Sequence, residues 1–240
     1  MIAARSLSKR FGDHVVLDGV SLTIARGERV ALLGLNGAGK TTLIRCLLGL
    51  LRFEGDLTVA GHDVRRDGLL TRRRLGYVPQ RAPHFEGTLS DVLEFFSKLR
   101  GLAPDDVARQ LGALGLDLDA HATKPVRALS GGMLQKLLLA LALAARVPVL
   151  LLDEPTANLD PQARKEFLRA LAAVPRETTI LLASHRLADV EAVADRVLVL
   201  HQGRLAFDGR LTDLWGQSSS VDELLEGALG LSGPERFGGR

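Results

Sequence analysis

The sequence feature that most constrains the fold is a glycine-rich segment that carries one lysine: Gly34, Leu35, Asn36, Gly37, Ala38, Gly39, Lys40 and Thr41. An apolar run at 30–33 precedes it, and a helical pattern at 42–51 follows it. The segment satisfies G-x-x-x-x-G-K-[ST] in the strand–loop–helix context that this pattern requires. Glycines let successive backbone N–H groups and the helix start point at one place, where the helix dipole favours negative charge. The sequence therefore predicts a phosphate-binding loop.

The side chains at the end of this loop have separate tasks. Lys40 is long enough to reach the β- and γ-phosphates of a bound nucleotide. Thr41 offers a hydroxyl to Mg²⁺, and Thr42 can donate to the α-phosphate. We expect this loop to form one half of a site that handles a nucleoside triphosphate.

Two carboxylates supply a second element of such a site. The apolar run 149–152 predicts a buried strand, and Asp153 and Glu154 follow it directly. Asp153 at the strand end can bind Mg²⁺, directly or through water, while Glu154 can polarise an attacking water. An apolar run that ends in Asp-Glu is weak evidence alone, but together with the phosphate loop it indicates nucleotide hydrolysis.

Short apolar runs alternate with helical patterns along much of the chain, which indicates βα units around a largely parallel sheet. The predicted strands are 30–33, 149–152, 180–183 and 196–200, and the predicted helices are 42–51, 162–174 and 187–194. Near the start of the chain, 15–17 and 21–24 predict two short antiparallel strands joined by a turn at Asp18-Gly19. The sequence thus predicts an α/β fold with an antiparallel β edge.

The middle and the end of the chain differ from this α/β pattern. Between about 88 and 146 helical spacing replaces the strand signals, as at Leu89, Val92, Leu93 and Phe96, which predicts an inserted helical subdomain. We expect one domain over 1–212. The remainder, 213–240, is rich in Gly and Ser and is predicted to be a peripheral or partly disordered tail.

Composition limits the class of protein. A single cysteine, Cys46, excludes an internal disulfide framework and fits a reducing compartment; we interpret it as a buried packing residue, with a reactive thiol as the alternative. The net charge of +3 comes from interspersed residues, which argues against a nucleic-acid partner. The densest basic run, Arg72 to Arg74 with Arg65 and Arg66 nearby, is typical of a solvated helix face, and a phosphate-backbone patch is the alternative.

No segment predicts a route across a membrane. The first ten residues lack an apolar core long enough for a signal peptide. The longest apolar stretch, 137–152, is shorter than the roughly 20 residues of a spanning helix and contains Arg146 and Pro148. It indicates a buried helix followed by a strand.

The decisive motif is Leu129-Ser130-Gly131-Gly132-Met133, which precedes a long helical run. With it, the chain resembles the ABC ATPase family over about 1–212, and the order of the family's motifs is reproduced. That order is Phe11, the phosphate loop, Gln80, Ser130-Gly131-Gly132, Asp153-Glu154, Asn158-Leu159-Asp160 and His185. The resemblance implies a P-loop NTPase core with a largely parallel sheet, an antiparallel β edge and an inserted helical subdomain.

The resemblance assigns roles to these residues. Ser130, Gly131 and Gly132 lie at a predicted helix start and form a second anion site. In the family, each ATP lies between the Lys40 loop of one subunit and the Ser130 loop of the other, so that two copies form a head-to-tail dimer.

Further roles follow from the same resemblance. Phe11 is expected to stack on adenine with Val16 beside it, although an ordinary core aromatic is the alternative for Phe11. Gln80 is expected to contact Mg²⁺ and the attacking water, while its loop meets a membrane partner. His185 is expected to hydrogen-bond the γ-phosphate. Asn158, Leu159 and Asp160 are expected to couple the two subunits, and His14, His62, His84, His121 and His201 are interpreted as surface residues.

The resemblance therefore implies an ATP-hydrolysing subunit of a transporter, with ATP and Mg²⁺, attached to a separate permease at the cytoplasmic face of the cell membrane. Two residues depart from the family's usual pattern: Met133 stands where Gln is usual, and Asn158 stands where a small residue is usual. A Met at this position is similar to the pattern of the exporter-like bacterial branch, which favours export. A soluble ABC ATPase of cofactor assembly or of a nucleic-acid system is the alternative. A DNA-repair member would need a coiled-coil insertion, which the sequence lacks.

Overall fold

Two β-sheets form the framework of residues 1–215, the part of the chain described by the computed structural model. The strands are β1 (Ile2–Phe11), β2 (His14–Ile24), β3 (Arg29–Leu33), β4 (Glu54–Val59), β5 (His62–Asp63), β6 (Leu75–Val78), β7 (Val149–Asp153), β8 (Thr179–Ala183), β9 (Arg196–His201) and β10 (Arg204–Arg210). One sheet has the order β2-β1-β4-β5 and is antiparallel, and the other has the order β10-β9-β3-β8-β7-β6.

The six-stranded sheet is parallel except for β10, which pairs antiparallel with β9 at one edge. Its strands β3, β7 and β8 are buried at every residue. Parallel strands with both faces covered are apolar throughout, which is why these runs could be recognised in the sequence. The predicted α/β class, the largely parallel sheet and the antiparallel β edge are confirmed.

Helices cover this sheet and fill the long connection between β6 and β7. They are α1 (Lys40–Leu47), α2 (Gly68–Arg73), α3 (Leu89–Arg100), α4 (Pro104–Ala113), α5 (Leu118–His121), α6 (Gly131–Ala144), α7 (Pro161–Ala172), α8 (Leu187–Val193) and α9 (Leu211–Trp215), with a 3₁₀ turn at Val126–Ala128. No helix in this described part is long and apolar enough to cross a bilayer.

The helices from α3 to α6 form the predicted helical insertion, because they lie between two strands that are neighbours in the sheet. A buried apolar cluster joins them directly to that sheet, with Leu137 and Leu141 of α6 in one cluster with Leu150 and Leu152 of β7. A capping box at Thr88 and Asp91 starts α3, since each side chain bonds to the other's backbone N–H. The fold thus fixes the start of α6, where Ser130 lies, relative to the sheet.

The prediction of two short strands at 15–17 and 21–24 was wrong. They belong to the single strand β2, and the turn lies at Gly12-Asp13, where Phe11 pairs with His14. The predicted turn is a bulge: the register passes from Leu7 opposite Val20 to Lys9 opposite Leu17, and Gly19 has a φ of 66°. A glycine with positive φ occurs in β-bulges as well as in turns. Here β1 pairs with β2 on both sides of Gly19, so the strand continues through the bulge.

Two other expectations have clear outcomes. Cys46 is fully buried, and burial raises the pKa of its thiol to about 11, which confirms a packing residue. Of the predicted tail, 216–240 lies outside the described residues, so its expected peripheral character stays a prediction.

Candidate functional site

The phosphate loop connects β3 to α1 and lies at the end of the central parallel strands. Gly34 approaches β9 so closely that a Cβ there would lie 2.4 Å from the carbonyl oxygen of Leu200. Gly39, directly before α1, has a φ of 105° and would place a Cβ 2.9 Å from the carbonyl oxygen of Val16. Only glycine fits at these two positions, so the loop keeps the backbone path that an anion cradle requires.

Lys40 starts α1 and is buried, with a side chain only 7% exposed. Its Nζ donates to the carbonyl oxygens of Gly34 at 2.6 Å and Leu35 at 3.3 Å, and it lies 3.9 Å from a carboxylate oxygen of Glu154. Burial lowers the pKa of Lys40, while the charges of Glu154 and Asp153 oppose that shift. The ammonium group is therefore held inside the loop.

Thr41 and Asp153 bring two oxygen ligands together. The hydroxyl of Thr41 donates to a carboxylate oxygen of Asp153 at 3.2 Å, across the gap between α1 and the end of β7. Asp153 is almost fully buried, and this burial raises the pKa of its carboxyl group, with the Thr41 hydrogen bond opposing the rise. A divalent cation would relieve that cost, because it favours the ionised carboxylate. Hydroxyl and carboxylate oxygens are ligands that Mg²⁺ prefers, so this pair fits the metal predicted from the sequence.

Glu154 lies where the catalytic candidates meet. One of its carboxylate oxygens accepts from the side-chain amide of Gln80 at 3.2 Å and lies 3.0 Å from Nδ1 of His185. The backbone of Glu154 has a φ of 47°, which costs energy for a residue with a Cβ and is tolerated mainly at functional sites. Its N–H bonds to the carbonyl of Ala183 in β8, and this contact fixes the strained residue. The structure thus brings Lys40, Gln80, Glu154 and His185 together.

A cavity of about 340 Å³ opens above the phosphate loop. Its walls include the loop from Asn36 to Thr42, Gln80, Glu154 and Val16. His14 also lines it, although the sequence predicts only a surface histidine at this position. Its ring is exposed as predicted, but its position beside Val16 follows from the Gly12-Asp13 hairpin, which the sequence analysis had not located.

Phe11 lies at the other side of the same hairpin and is 49% exposed, so it is not a core aromatic. Its ring lies under the ammonium group of Lys9, at 4.6 Å from the ring centroid. Phe11 is not among the residues that line the phosphate-loop cavity. An exposed ring at the hairpin end agrees with the predicted stacking role, which stays a prediction.

The Ser130 segment lies outside this cavity in the same chain. Ser130 is the N-cap of α6, and its hydroxyl oxygen accepts from the backbone N–H of Met133 at 3.2 Å. A Cβ added at Gly131 would meet no atom within 4 Å, so the start of α6 faces open space. None of the three residues Ser130, Gly131 and Gly132 lines the phosphate-loop cavity. The start of α6 is therefore accessible and lies outside the phosphate-loop cavity, and its role as a second anion site stays a prediction.

The Asn158-Leu159-Asp160 segment leads from β7 to α7. Asp160 caps α7 by accepting from the backbone N–H of Ala163 at 2.9 Å, and the side chain of Asn158 donates to the carbonyl of Gln80 at 3.4 Å. Leu159 is buried, whereas Asn158 contacts the Gln80 loop directly. Asn158 therefore links the segment predicted to couple subunits to the Gln80 loop.

Two positioning residues belong to no motif in the sequence. Asp189 of α8 is fully buried and accepts from Thr156, from Ser184 at 3.2 Å and from Arg164 at 2.7 Å. These bonds tie the turn after Glu154, the residue before His185 and helix α7 to one carboxylate. Their sequence distance explains why no local motif indicated the network.

The second of these residues is Gln135 on α6. It is buried, and its side-chain amide donates to the carbonyl of Pro79 at 2.8 Å. The helix that begins at Ser130 is thereby bonded to the residue before Gln80. The only signal in the sequence was a polar residue, next to Lys136, in a largely apolar helical run.

Asp189→Asn is expected to lower the free energy of unfolding by about 2 kcal/mol, because Arg164 loses its buried charged partner. Turnover should fall as well, since Thr156 and Ser184 flank the residues beside Glu154 and His185. Chemical denaturation and phosphate release measure the two effects. Asp195→Asn is the matched control, because its ion pair with Arg176 is exposed, and it should change stability by less than about 0.5 kcal/mol. Equal stability of the two variants would contradict a structural role for Asp189.

Comparisons with known proteins agree with this geometry. The sequence model of the ABC transporter family matches residues 17–157, more than half of the chain. The chain is 38% identical over 223 residues to a Nod factor export ATP-binding protein I of Ralstonia nicotianae, covering 89% of this chain and 68% of that protein. It is 35% identical to the methionine import ATP-binding protein MetN of Rhizobium johnstonii, covering 100% of this chain and 69% of that protein.

A solved structure of an ATP binding subunit of an ABC transporter superposes on this fold with a TM-score of 0.83 and 30% sequence identity. The superposition covers 95% of this chain and 99% of that structure. Sequence, fold and the arrangement around Lys40 and Glu154 thus lead to one family. The chain belongs to the ABC transporter family, in which it is an ATP-binding subunit that hydrolyses ATP.

Proposed function

We propose that this chain drives transport by closing, with a second copy, around two ATP molecules beneath a separate membrane-embedded permease. The observation that carries the proposal is that the Ser130 segment does not line the phosphate-loop cavity of its own chain. Lys40 and its loop line a cavity, while Ser130 and the start of α6 lie outside it and face open space. A head-to-tail pair of chains would place each Ser130 over the other chain's Lys40 loop.

The hydrolytic step rests on the residues around Glu154. The carboxylate of Glu154 would accept the proton of an attacking water, and Gln80 and His185 hold that carboxylate through the contacts described above. Lys40 would exchange its carbonyl partners for the β- and γ-phosphates. Thr41, Asp153 and the amide oxygen of Gln80 would hold Mg²⁺, which supplies charge neutralisation at the phosphates when bound.

The permease is expected to dock beside the Gln80 loop. A groove of about 430 Å³ lies there between the sheet and the helical insertion, with an apolar floor that includes Tyr77, Phe96 and Leu138. Arg81 and Arg100 also line it, so a short amphipathic segment with an acidic side chain would complement the groove. Such docking would place the chain at the cytoplasmic face of the membrane.

Ser130 and the phosphate loop would then be coupled to the groove. Gln135 bonds the helix of Ser130 to Pro79, and Asn158 bonds to the backbone of Gln80. A movement of the docked segment would therefore reach both ends of the proposed ATP site. Export is the favoured direction because Met133 follows the exporter-like pattern.

Light scattering of the full chain tests the dimer. We expect a monomer without nucleotide and a dimer with Mg²⁺ and a non-hydrolysable ATP analogue, because the analogue bridges the two chains without being consumed. ADP should leave the chain monomeric. A mass that does not depend on nucleotide would contradict closure around ATP.

Phe11→Ala is expected to weaken ATP binding about tenfold, because stacking of one base on an aromatic ring is lost. Phe11→Tyr keeps the ring and should keep the affinity. Calorimetric titration with ATP measures the change, and titration with inorganic tripolyphosphate is the control, since that ligand has no base. Unchanged ATP affinity of Phe11→Ala would exclude the stacking role.

A further inference from the structure

An arginine-lined cleft beyond the C-terminal end of α1 has no part in the proposed catalytic cycle. It lies between the segment after α1 and helix α2, has a volume of about 660 Å³, and takes Arg52, Arg65 and Arg72 into its lining. Arg72 reaches into the cleft, with its Nη1 3.6 Å from the Cβ position of Gly49. No carboxylate residue lines this cleft.

The charges of this cleft are largely uncompensated. Among residues 1–215, neither Arg52 nor Arg72 forms an ion pair. Arg65 lies 3.6 Å from Asp56, but both side chains are exposed, and an exposed pair of this kind contributes little. Its guanidinium also lies 5.3 Å from the ring centroid of Phe53, which lines the cleft and carries no charge to neutralise it. Three arginines in the lining of one concavity would suit a phosphate-bearing anion, since arginine matches phosphate geometry.

Apolar side chains project from the same surface. Leu50 and Leu69 line the cleft and are each 61% exposed, and Leu70, next on α2, is 47% exposed. The other large exposed apolar residues of the described chain lie at the nucleotide face or on α3: Phe11, Val15, Leu35, Phe95 and Leu99. Leucines that are held out in water beside unpaired arginines are typical of surfaces that bind the interface of an anionic membrane.

The position of the cleft agrees with a membrane contact. Leu50 lines both this cleft and the groove beside Gln80, so the two concavities adjoin. The guanidinium of Arg100 at the end of α3 also donates to the backbone carbonyls of Arg72 and Leu75, which fixes α2 next to that groove. A permease seated in the groove would bring the cleft close to the lipid surface.

We propose that the Arg52–Arg65–Arg72 cleft binds the phosphate headgroup of an anionic phospholipid, while Leu50, Leu69 and Leu70 enter the membrane interface. The exposed leucines favour a lipid over a free phosphate ion, because only a lipid would remove them from water. This lipid contact is a function beyond ATP-driven transport. It rests on the proposed function only for the orientation of the chain, because a permease in the groove would turn the cleft toward the membrane. Of the basic residues noted in the sequence, Arg65 and Arg72 belong to the proposed lipid site. Arg74 lines a different cavity.

Co-sedimentation of the full chain with vesicles, without any permease, tests this proposal. One set of vesicles contains phosphatidylcholine alone, and the other contains equal parts of phosphatidylcholine and phosphatidylglycerol. We expect binding to the second set only. The double variant Arg52→Gln/Arg72→Gln should bind about 25-fold less tightly, since each arginine near an anionic surface contributes about fivefold. Leu69→Ser/Leu70→Ser should lose at least about fivefold.

The matched control is Arg109→Gln/Arg176→Gln, which removes the same charge from exposed arginines that do not line the cleft. It should bind vesicles like the unchanged chain, and all variants should keep their ATP turnover. If the control lost as much vesicle affinity as the cleft variant, the binding would depend only on net charge, and the proposal would be overturned. The proposal would also be overturned if inorganic phosphate displaced the chain from vesicles while the leucine variant still bound them, because that result would indicate a free-phosphate site. Tighter binding to single-stranded RNA than to vesicles would overturn it as well.

Discussion

Glu154→Gln should lower ATP turnover by about a hundred- to ten-thousand-fold while ATP affinity changes little. Glutamine keeps the shape of the side chain and can still bond to Gln80 and His185, but it lacks the carboxylate that accepts a proton from water. Binding persists because Lys40 and the loop backbone, rather than Glu154, hold the phosphates in the proposed complex. ATP would therefore remain in the site and the closed dimer would accumulate.

Phosphate release and light scattering with ATP and Mg²⁺ measure the two consequences of this change. Glu191→Gln is the control, because Glu191 is exposed on α8 and makes no hydrogen bond to the residues around Glu154. It should turn over like the unchanged chain and give no trapped dimer. A Glu154→Gln variant that hydrolyses ATP at the normal rate would show that Glu154 is not the base.

Ser130→Leu should abolish the ATP-dependent dimer and its turnover, with ATP binding by the single chain preserved. The leucine removes a hydroxyl and adds bulk at the start of α6, where the γ-phosphate of the partner's ATP would lie. The same change also removes the helix cap, because the Ser130 oxygen accepts from Met133, and losing a cap costs about 1 kcal/mol. The experiment must therefore separate a weaker helix from a blocked site.

Thr88→Leu provides that separation, because Thr88 caps α3 of the same helical insertion and has no proposed contact with ATP. Both variants should lose similar stability in chemical denaturation. Only Ser130→Leu should lose the dimer when it is combined with Glu154→Gln and supplied with ATP. If the Ser130 variant dimerised and turned over normally, the composite site would be wrong.

These predictions rest on elements that the sequence made recognisable. β7 was predicted almost to its end because four buried apolar residues are followed by two carboxylates, and β3 because its apolar run enters the glycine loop. In both cases the signal is local, since a strand buried on both faces needs only apolar side chains. The Lys40–Glu154 contact then follows from parallel strands, whose ends lie at one edge of the sheet.

Other features depended on contacts that no local pattern encodes. The bulge at Gly19 was predicted as a turn because a glycine beside an aspartate fits both, and only the pairing with β1 decides between them. Asp189 bonds to residues up to 33 positions away, and His14 enters the cavity wall through a hairpin that had been placed elsewhere. The start of α6 was predicted, but its position outside the cavity of the Lys40 loop is a property of the whole fold.

The most direct test of the transport engine uses the Glu154→Gln chain as bait in its native cells, with ATP and Mg²⁺ present during detergent extraction. The matched bait is Lys40→Ala, which should bind ATP poorly and leave the dimer open. We predict that an integral membrane protein co-purifies with the Glu154→Gln bait and that its recovery falls when Arg81 and Phe96 in the groove are replaced. Recovery of soluble proteins or nucleic acid alone, with no membrane protein for either bait, would contradict a permease-coupled function.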